Sequence, residues 1–211
     1  MTMKRYFGIY TLLAAFSLAI SIPSVHSHPK DLHQAFPQDA KEAEVRPVTI
    51  KLADVDLVDQ DGKQVKFASD VIKDRLAVID LVYTTCPLVC PILSATFANV
   101  QNALGDRLGK EVVLISVSVD PATDIPPRLK EYAKKWDANP GWRFLTGAKG
   151  NVDKVLQGLN AYTPNFADHP TMTLVGDGAG GGWTRFYGFA TPEQILGKLE
   201  ELRAARAAKG L

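Results

Sequence analysis

The sequence predicts an α/β fold, with a central mixed sheet flanked by helices and an N-terminal β-hairpin. Three observations carry that prediction. Two continuous apolar runs, LAVIDLVY at 76–83 and EVVLISVSV at 111–119, have the length and β-branched content of strands covered on both faces. Between and after them, apolar residues recur at helical spacing. Upstream, Asp61-Gly62 joins two β-rich segments and marks a hairpin.

Taken in order, the chain opens with Lys4 and Arg5, an uncharged and mostly apolar run at 6–22, and VHS at 25–27. A charged start, an apolar stretch and a closing small residue read as a secretory signal cleaved after Ser27. The run is at the lower length limit for crossing a bilayer, so a retained membrane anchor is the second reading. No cysteine follows it, so lipid attachment there is not expected. Either way, the folded part is expected outside the cytoplasm. Residues 28–47 are polar and aperiodic and read as a flexible stem, with the domain proper at 48–211.

The hairpin occupies 48–67, and the buried strand 76–83 follows it. At 91–104, Leu93, Phe97, Val100 and Leu104 make an amphipathic helix. The second buried strand, 111–119, leads to a helix at 126–136 with Leu129, Tyr132, Ala133 and Trp136 on one face, then to a helix at 152–159. A third core strand at 171–175, a glycine-rich turn GDGAGGG at 176–182 and a hairpin partner WTRFY at 183–187 complete the sheet. The last helix opens at Thr191-Pro192-Glu193-Gln194, a cap, a first-turn proline and a capping-box Gln, and closes at Gly210. There are no internal repeats.

Composition narrows the function. With 211 residues, 46% apolar and 22% charged, the chain fits one ordinary globular domain plus a short leader. A formal charge of +1 supplies no basic field for nucleic acid and no acidic field for cationic partners. Membrane contact is expected only through the N-terminal segment.

The chemistry concentrates in TTCPLVCP at 84–91, which holds both cysteines of the chain, each followed by proline. Cys86 follows a core strand and Cys90 abuts a helix, so both thiols belong at the carboxyl edge of the sheet, where α/β folds place their sites. The prolines push both cysteines into turn or cap geometry, with the regular helix starting near Pro91. Helix amides directed at the sulfurs favour thiolate. Three roles compete. A structural disulfide closing so small a loop contributes only about 2 kcal/mol, and a domain of this size does not need it. Redox exchange is the second, although thioredoxin-type motifs use two intervening residues and this one has three. Metal capture is the third, since two thiolates suit a soft ion such as Cu(I), whereas zinc gathers four ligands.

Of the four histidines, only His169 lies within the fold, in NFADHPTMTLV ahead of a core strand. A strand running into a cysteine turn and helix begins a thioredoxin-like layout. There this loop faces the cysteines, with Pro170 as the candidate cis proline and His169 adjacent to both sulfurs. Taken alone, a histidine in this position is as readily a hydrogen-bonded structural residue; convergence with two cysteines on one edge favours a ligand. Asp168 is a candidate loop cap or ligand-orienting group. Met172, at the start of an apolar strand, is more naturally core than a fourth ligand. His28, as a new amino terminus, would with His33 form a Cu(II) site, but tails with histidines are common.

TTCPLVCP after an apolar strand, SVSVDPATDIPPRLKEYA at 116–133 and DHPTMTLV at 168–175 together resemble the Sco/SenC family, copper proteins serving cytochrome c oxidase assembly, over roughly residues 48–203. The resemblance implies a thioredoxin-like fold, membrane or periplasmic placement, and copper bound by two cysteines and one histidine, which by motif fall on Cys86, Cys90 and His169. It places the family's VDP-containing loop on Asp120 and Pro121, where a turn cap is favoured over ligation. Two departures stand out: Pro170 where the family commonly has Ser after the ligand His, and the long glycine-rich turn.

The function so implied is a periplasmic chaperone that carries copper, as Cu(I) or also as Cu(II), to the copper subunit of cytochrome c oxidase or another acceptor. The alternative is an enzyme, a thiol-disulfide oxidoreductase that uses Cys86 and Cys90 as catalytic thiols, draws on a thiol reductant and keeps oxidase-subunit cysteines reduced without needing His169. A peroxidase reading is weaker, because the usual Arg partner is not evident. The remaining class is a plain binding domain with a structural bridge.

Overall fold

The computed structural model describes residues 43–210, so the expected signal, the stem up to residue 42 and Leu211 lie outside the described residues. Twelve principal elements follow in chain order: β1 (Glu44–Val48), β2 (Asp56–Asp59), β3 (Gln64–Lys66), β4 (Leu76–Val82), α1 (Val89–Leu104), β5 (Val112–Ser118), α2 (Pro126–Lys135), β6 (Trp142–Thr146), α3 (Lys149–Gly158), β7 (Met172–Asp177), β8 (Trp183–Tyr187) and α4 (Pro192–Ala208). All eight strands join one open sheet in the order β1-β8-β7-β4-β5-β6-β2-β3. Strands β4, β5 and β6 are parallel and the outer pairings antiparallel, so the sheet is mixed as expected.

The period of two along the central strands divides the core. Ala77, Ile79 and Leu81 of β4 face α3 and a π-helical turn at Phe67–Ile72, while Leu76 and Val78 face α1, α2 and α4. Both faces are therefore covered, which explains why the 76–83 and 111–119 runs are apolar throughout. The hairpin forms as expected, with Gly62 at φ 80° in its turn. The capping box of α4 is complete: the Thr191 hydroxyl accepts from the Gln194 amide at 3.3 Å and the Gln194 side chain accepts from the Thr191 amide at 3.0 Å.

Three expectations are corrected. The stem does not run to residue 47, because Glu44–Val48 pairs antiparallel with β8 at the sheet edge, a position where Pro47 costs no ladder bond inside the sheet. A strand missing from the expected order, β6, lies between α2 and α3 and joins β5 to the hairpin through β2. Its five residues bury Trp142, Phe144 and Leu145, while Arg143 interrupts the apolar pattern and pairs with buried Asp59. The glycine-rich turn is shorter than 176–182, since β7 continues through Asp177. Gly176 belongs to that strand because the Trp183 indole packs where its Cβ would be, 2.1 Å away.

Strands β4 and β5 end side by side at Val82 and Ser118, and β7 enters from the same edge at Met172. The cysteine turn, the 119–125 loop and His169 all lie on this edge.

Candidate metal and thiol site

The turn after β4 is held by its own backbone: the Cys86 amide donates to the Tyr83 carbonyl at 3.0 Å, and the Cys90 amide donates to the Cys86 sulfur at 3.3 Å. Helix α1 begins at Val89, so Cys90 is inside its first turn rather than in a cap ahead of Pro91. The first-turn amides of a helix have no intrahelical acceptor, so Pro91 forfeits nothing there. Both thiols are free; Cys86 is half-buried and Cys90 fully buried.

Their environments drive the two sulfurs apart. Burial opposes ionisation of Cys86, yet the Cys90 amide and thiol, the Leu88 amide and the Tyr83 hydroxyl outweigh it and bring its pKa below that of a free thiol. Burial pushes the Cys90 thiol far up, and the adjacent Cys86 sulfur and the Asp80 carboxyl add to the rise. At pH 7, iodoacetamide is accordingly expected to label Cys86 at least about tenfold faster than Cys90, as read by peptide mass spectrometry. Equal labelling would contradict this asymmetry.

His169 follows a short helical turn at Phe166–Asp168 and is half-buried on the same sheet edge. Its Nδ1 lies 3.2 Å from the Pro170 carbonyl, a contact the Nδ1-protonated tautomer satisfies by donating, which leaves Nε2 with a free lone pair. Burial pulls its pKa below the ordinary value, against the Pro170 carbonyl, so the ring is neutral at pH 7.

The structure brings the two cysteines together but does not seat His169 on them. The ring packs edge-on against Tyr83, with centroids 5.8 Å apart and planes at 88°, and Phe166 packs on the same phenol at 5.4 Å. Cys86 also acts on this phenol, raising the Tyr83 pKa above its ordinary value. Among the described residues, no group of three or more His, Cys, Asp or Glu lies close enough to hold a metal ion. Every described peptide bond is trans, the one before Pro170 included, contrary to the cis expectation.

The remaining candidates resolve simply. Met172 is fully buried among Ile79 and Leu174 and is core. Asp168 is exposed and accepts from the Asn165 side chain at 3.1 Å, a loop contact. Asp120 caps its own turn, its carbonyl accepting from Asp124 at 2.9 Å and its side chain from the Thr123 amide at 3.4 Å. Two surface clefts, of about 690 and 740 Å³, lie around Arg75 and Lys110 at the other end of the sheet and contain neither cysteine.

Sequence reasoning missed Tyr83 and Asp124. Asp124 is fully buried and accepts from the Thr84 hydroxyl at 2.6 Å, the Thr84 amide at 3.1 Å and the Ser118 hydroxyl at 2.7 Å. It ties the end of β5 to the residues just before Cys86. In the sequence it reads only as a polar turn residue, because its partner Thr84 is 40 positions away.

Comparison with known proteins identifies relatives over most of the chain. The family model described as SCO1/SenC matches residues 45–204. An SCO2-like protein of Rickettsia felis is 29% identical over 156 residues, covering 68% of this chain and 72% of that one. The structure of Bradyrhizobium japonicum ScoI with copper bound is similar at 28% identity and a TM-score of 0.60, covering 72% of this chain and 99% of that one. The structure of BsSco, described as having a disulfide switch and as a member of the Sco family of cytochrome c oxidase assembly proteins, shares the fold at 24% identity and a TM-score of 0.63, covering 77% and 96%. With a thioredoxin-like α/β sheet, a paired thiol turn at its edge and a family match over most of its length, this chain belongs to the SCO1/SenC family.

Proposed function

We propose that this protein is an exported copper chaperone of cytochrome c oxidase assembly, with Cu(I) as its cargo and Cys86, Cys90 and His169 as ligands. The observation that carries the reading is a pair of free thiols linked by the Cys90 amide contact, on the same sheet edge as a neutral imidazole with one free nitrogen. Two soft sulfurs and one imidazole suit Cu(I) over harder ions. Family membership and the copper held by the related ScoI support it. The sequence of the N-terminal segment supports export, and the oxidase copper subunit, or another copper acceptor, is the recipient that the family's role favours.

The test is metal analysis of reduced protein equilibrated with Cu(I). About one copper per chain is expected. Cys86→Ser and Cys90→Ser are expected to fall to background, and His169→Ala to bind measurably more weakly. Full Cu(I) affinity in His169→Ala would remove that residue from the ligand set. Amino-terminal sequencing of protein recovered from the export compartment is expected to begin at His28; a Met1 start would support the anchored form.

One observation favours a second reading, thiol-disulfide exchange. Cys86 is accessible with a depressed pKa and Cys90 is buried with a raised one, the division of labour between an attacking and a resolving thiol. A Cys90→Ala variant that traps a mixed disulfide stoichiometrically would support it, and one that traps none would exclude it.

A further inference from the structure

The eight-stranded sheet has two outer strands, β3 and β1. Strand β3 has three residues, too short to offer a ladder to another chain. Strand β1 has five, four of them exposed, and among the described residues it pairs only with β8. The register fixes which way its backbone groups point. The Gly188 amide donates to the Thr171 carbonyl at 2.9 Å, one step beyond the Met172–Tyr187 pair, so the even-numbered residues of β8 turn to β7 and the odd-numbered ones to β1. Tyr187, Arg185 and Trp183 are therefore hydrogen-bonded to Glu44, Arg46 and Val48. Val45 and Pro47 turn their backbone groups to the open side.

Proline and charge on an outer strand commonly protect it from pairing, and Pro47 does limit how long a ladder this edge can form. The pattern ahead of it has another property. Val45 is 49% exposed, and its N–H and C=O face outward beside an apolar side chain. Glu44 and Arg46 flank it with opposite charges, on the other face of the strand. The two already pair with each other, and the guanidinium lies 5.9 Å from the centroid of the Tyr187 ring, which holds it along the strand. Laid antiparallel against a copy of itself and centred on Val45, the segment is self-complementary. Val45 meets Val45, and each Glu44 meets an Arg46. The alignments one step to either side set Glu44 on Glu44 or Arg46 on Arg46, so charge selects the one centred on Val45.

We propose that β1 is a self-association edge, on which a second copy of this chain docks by antiparallel pairing about Val45. The Val45 amide of each copy donates to the Val45 carbonyl of the other, and each Pro47 carbonyl accepts from the Ala43 amide of the other copy. Pro47 has no donor to return, so the ladder ends there. The contact is isologous and uses up β1 in both copies, so the assembly closes at two rather than running on into a fibre. It doubles the eight-stranded sheet, and because the paired strands run in opposite directions the two thiol edges lie at opposite ends, both uncovered. One short strand from each copy makes a small interface, so association is weak, with a dissociation constant on the order of 0.1 mM.

The test is sedimentation equilibrium of the protein as the cell delivers it, with reductant and chelator present so that neither a disulfide nor a metal ion joins two copies. From about 10 µM to about 1 mM, the average mass is expected to rise from one chain toward two. Glu44→Arg and Arg46→Glu, each alone, set like charges in both cross-strand pairs and are expected to weaken association about tenfold or more. Mixed in equal amounts, the two variants complement each other and are expected to regain the wild-type affinity. Both side chains are exposed, so the fold of each variant is expected to stand, with far-UV circular dichroism as the check. A wild-type mass that stays at one chain throughout overturns the proposal and leaves this edge to a strand of another protein or to solvent. Association that neither substitution weakens, or that mixing fails to restore, also overturns it and assigns the contact to another surface.

Discussion

Replacing Asp124 by alanine is expected to destabilise the protein by about 3–4 kcal/mol and to loosen the cysteine turn. The carboxylate is fully buried and holds the Thr84 amide, the Thr84 hydroxyl and the Ser118 hydroxyl. Truncation strands those donors in the interior, where each unmade bond costs the desolvation of its group. Thr84 is two residues from Cys86, so the loss propagates directly to the turn that sets the sulfur positions. Asp124→Asn keeps one acceptor oxygen and lets the Ser118 hydroxyl rotate to accept, so its cost is expected at about 1–2 kcal/mol. Urea unfolding of reduced protein measures both. A site-level effect should accompany it, with Cys90 labelled by iodoacetamide faster in Asp124→Ala than in wild type. An alanine variant within about 1 kcal/mol of wild type would mean that the 119–125 loop is anchored by something other than this carboxylate.

Which parts of this molecule were legible in the sequence follows from the range of the interactions that form them. Strands β4 and β5 were readable because burial on both faces leaves an uninterrupted apolar run, and α4 because its capping box is complete within four residues. Strands β1 and β6 were not. Each has only five residues and owes its place to pairing with distant partners, β1 with Tyr187 to Trp183 and β6 with both β5 and β2. The cysteine pair was legible because its members are neighbours in the chain. His169 was placed on the correct edge by its position before β7, but its packing on Tyr83 depends on side-chain geometry at the end of β4. Asp124 was hidden for the same reason: its role exists only once β4 and β5 end side by side. Asp80 was visible as the one charged letter in LAVIDLVY, and what the sequence lacked was any sign that no cation would meet it.

Asp80 should also govern stability, because it is 0% exposed and neither of its carboxyl oxygens has a hydrogen-bond partner among the described residues. The wild-type protein is expected to lose up to about 4 kcal/mol of folding free energy between pH 4 and pH 7 through Asp80, and Asp80→Asn to abolish that loss. The sign follows from proton binding. Burial raises the Asp80 pKa from an ordinary 3.8 to about 7, so across this interval the folded state keeps a proton that the unfolded state has released. Stability therefore falls as pH rises through the interval and levels off above the folded value. His169 works in the opposite sense, since its depressed pKa makes protonation unfavourable in the fold and costs stability as pH falls below its ordinary range. Only the difference between wild type and Asp80→Asn isolates the carboxyl. Urea denaturation of both reduced proteins from pH 4 to 8 gives that difference. It should be small at pH 4, where the folded acid is neutral and the unfolded one has only begun to ionise, and should favour the variant increasingly toward pH 7. A difference that stays flat over this range would show that Asp80 titrates normally and is not the desolvated group described above.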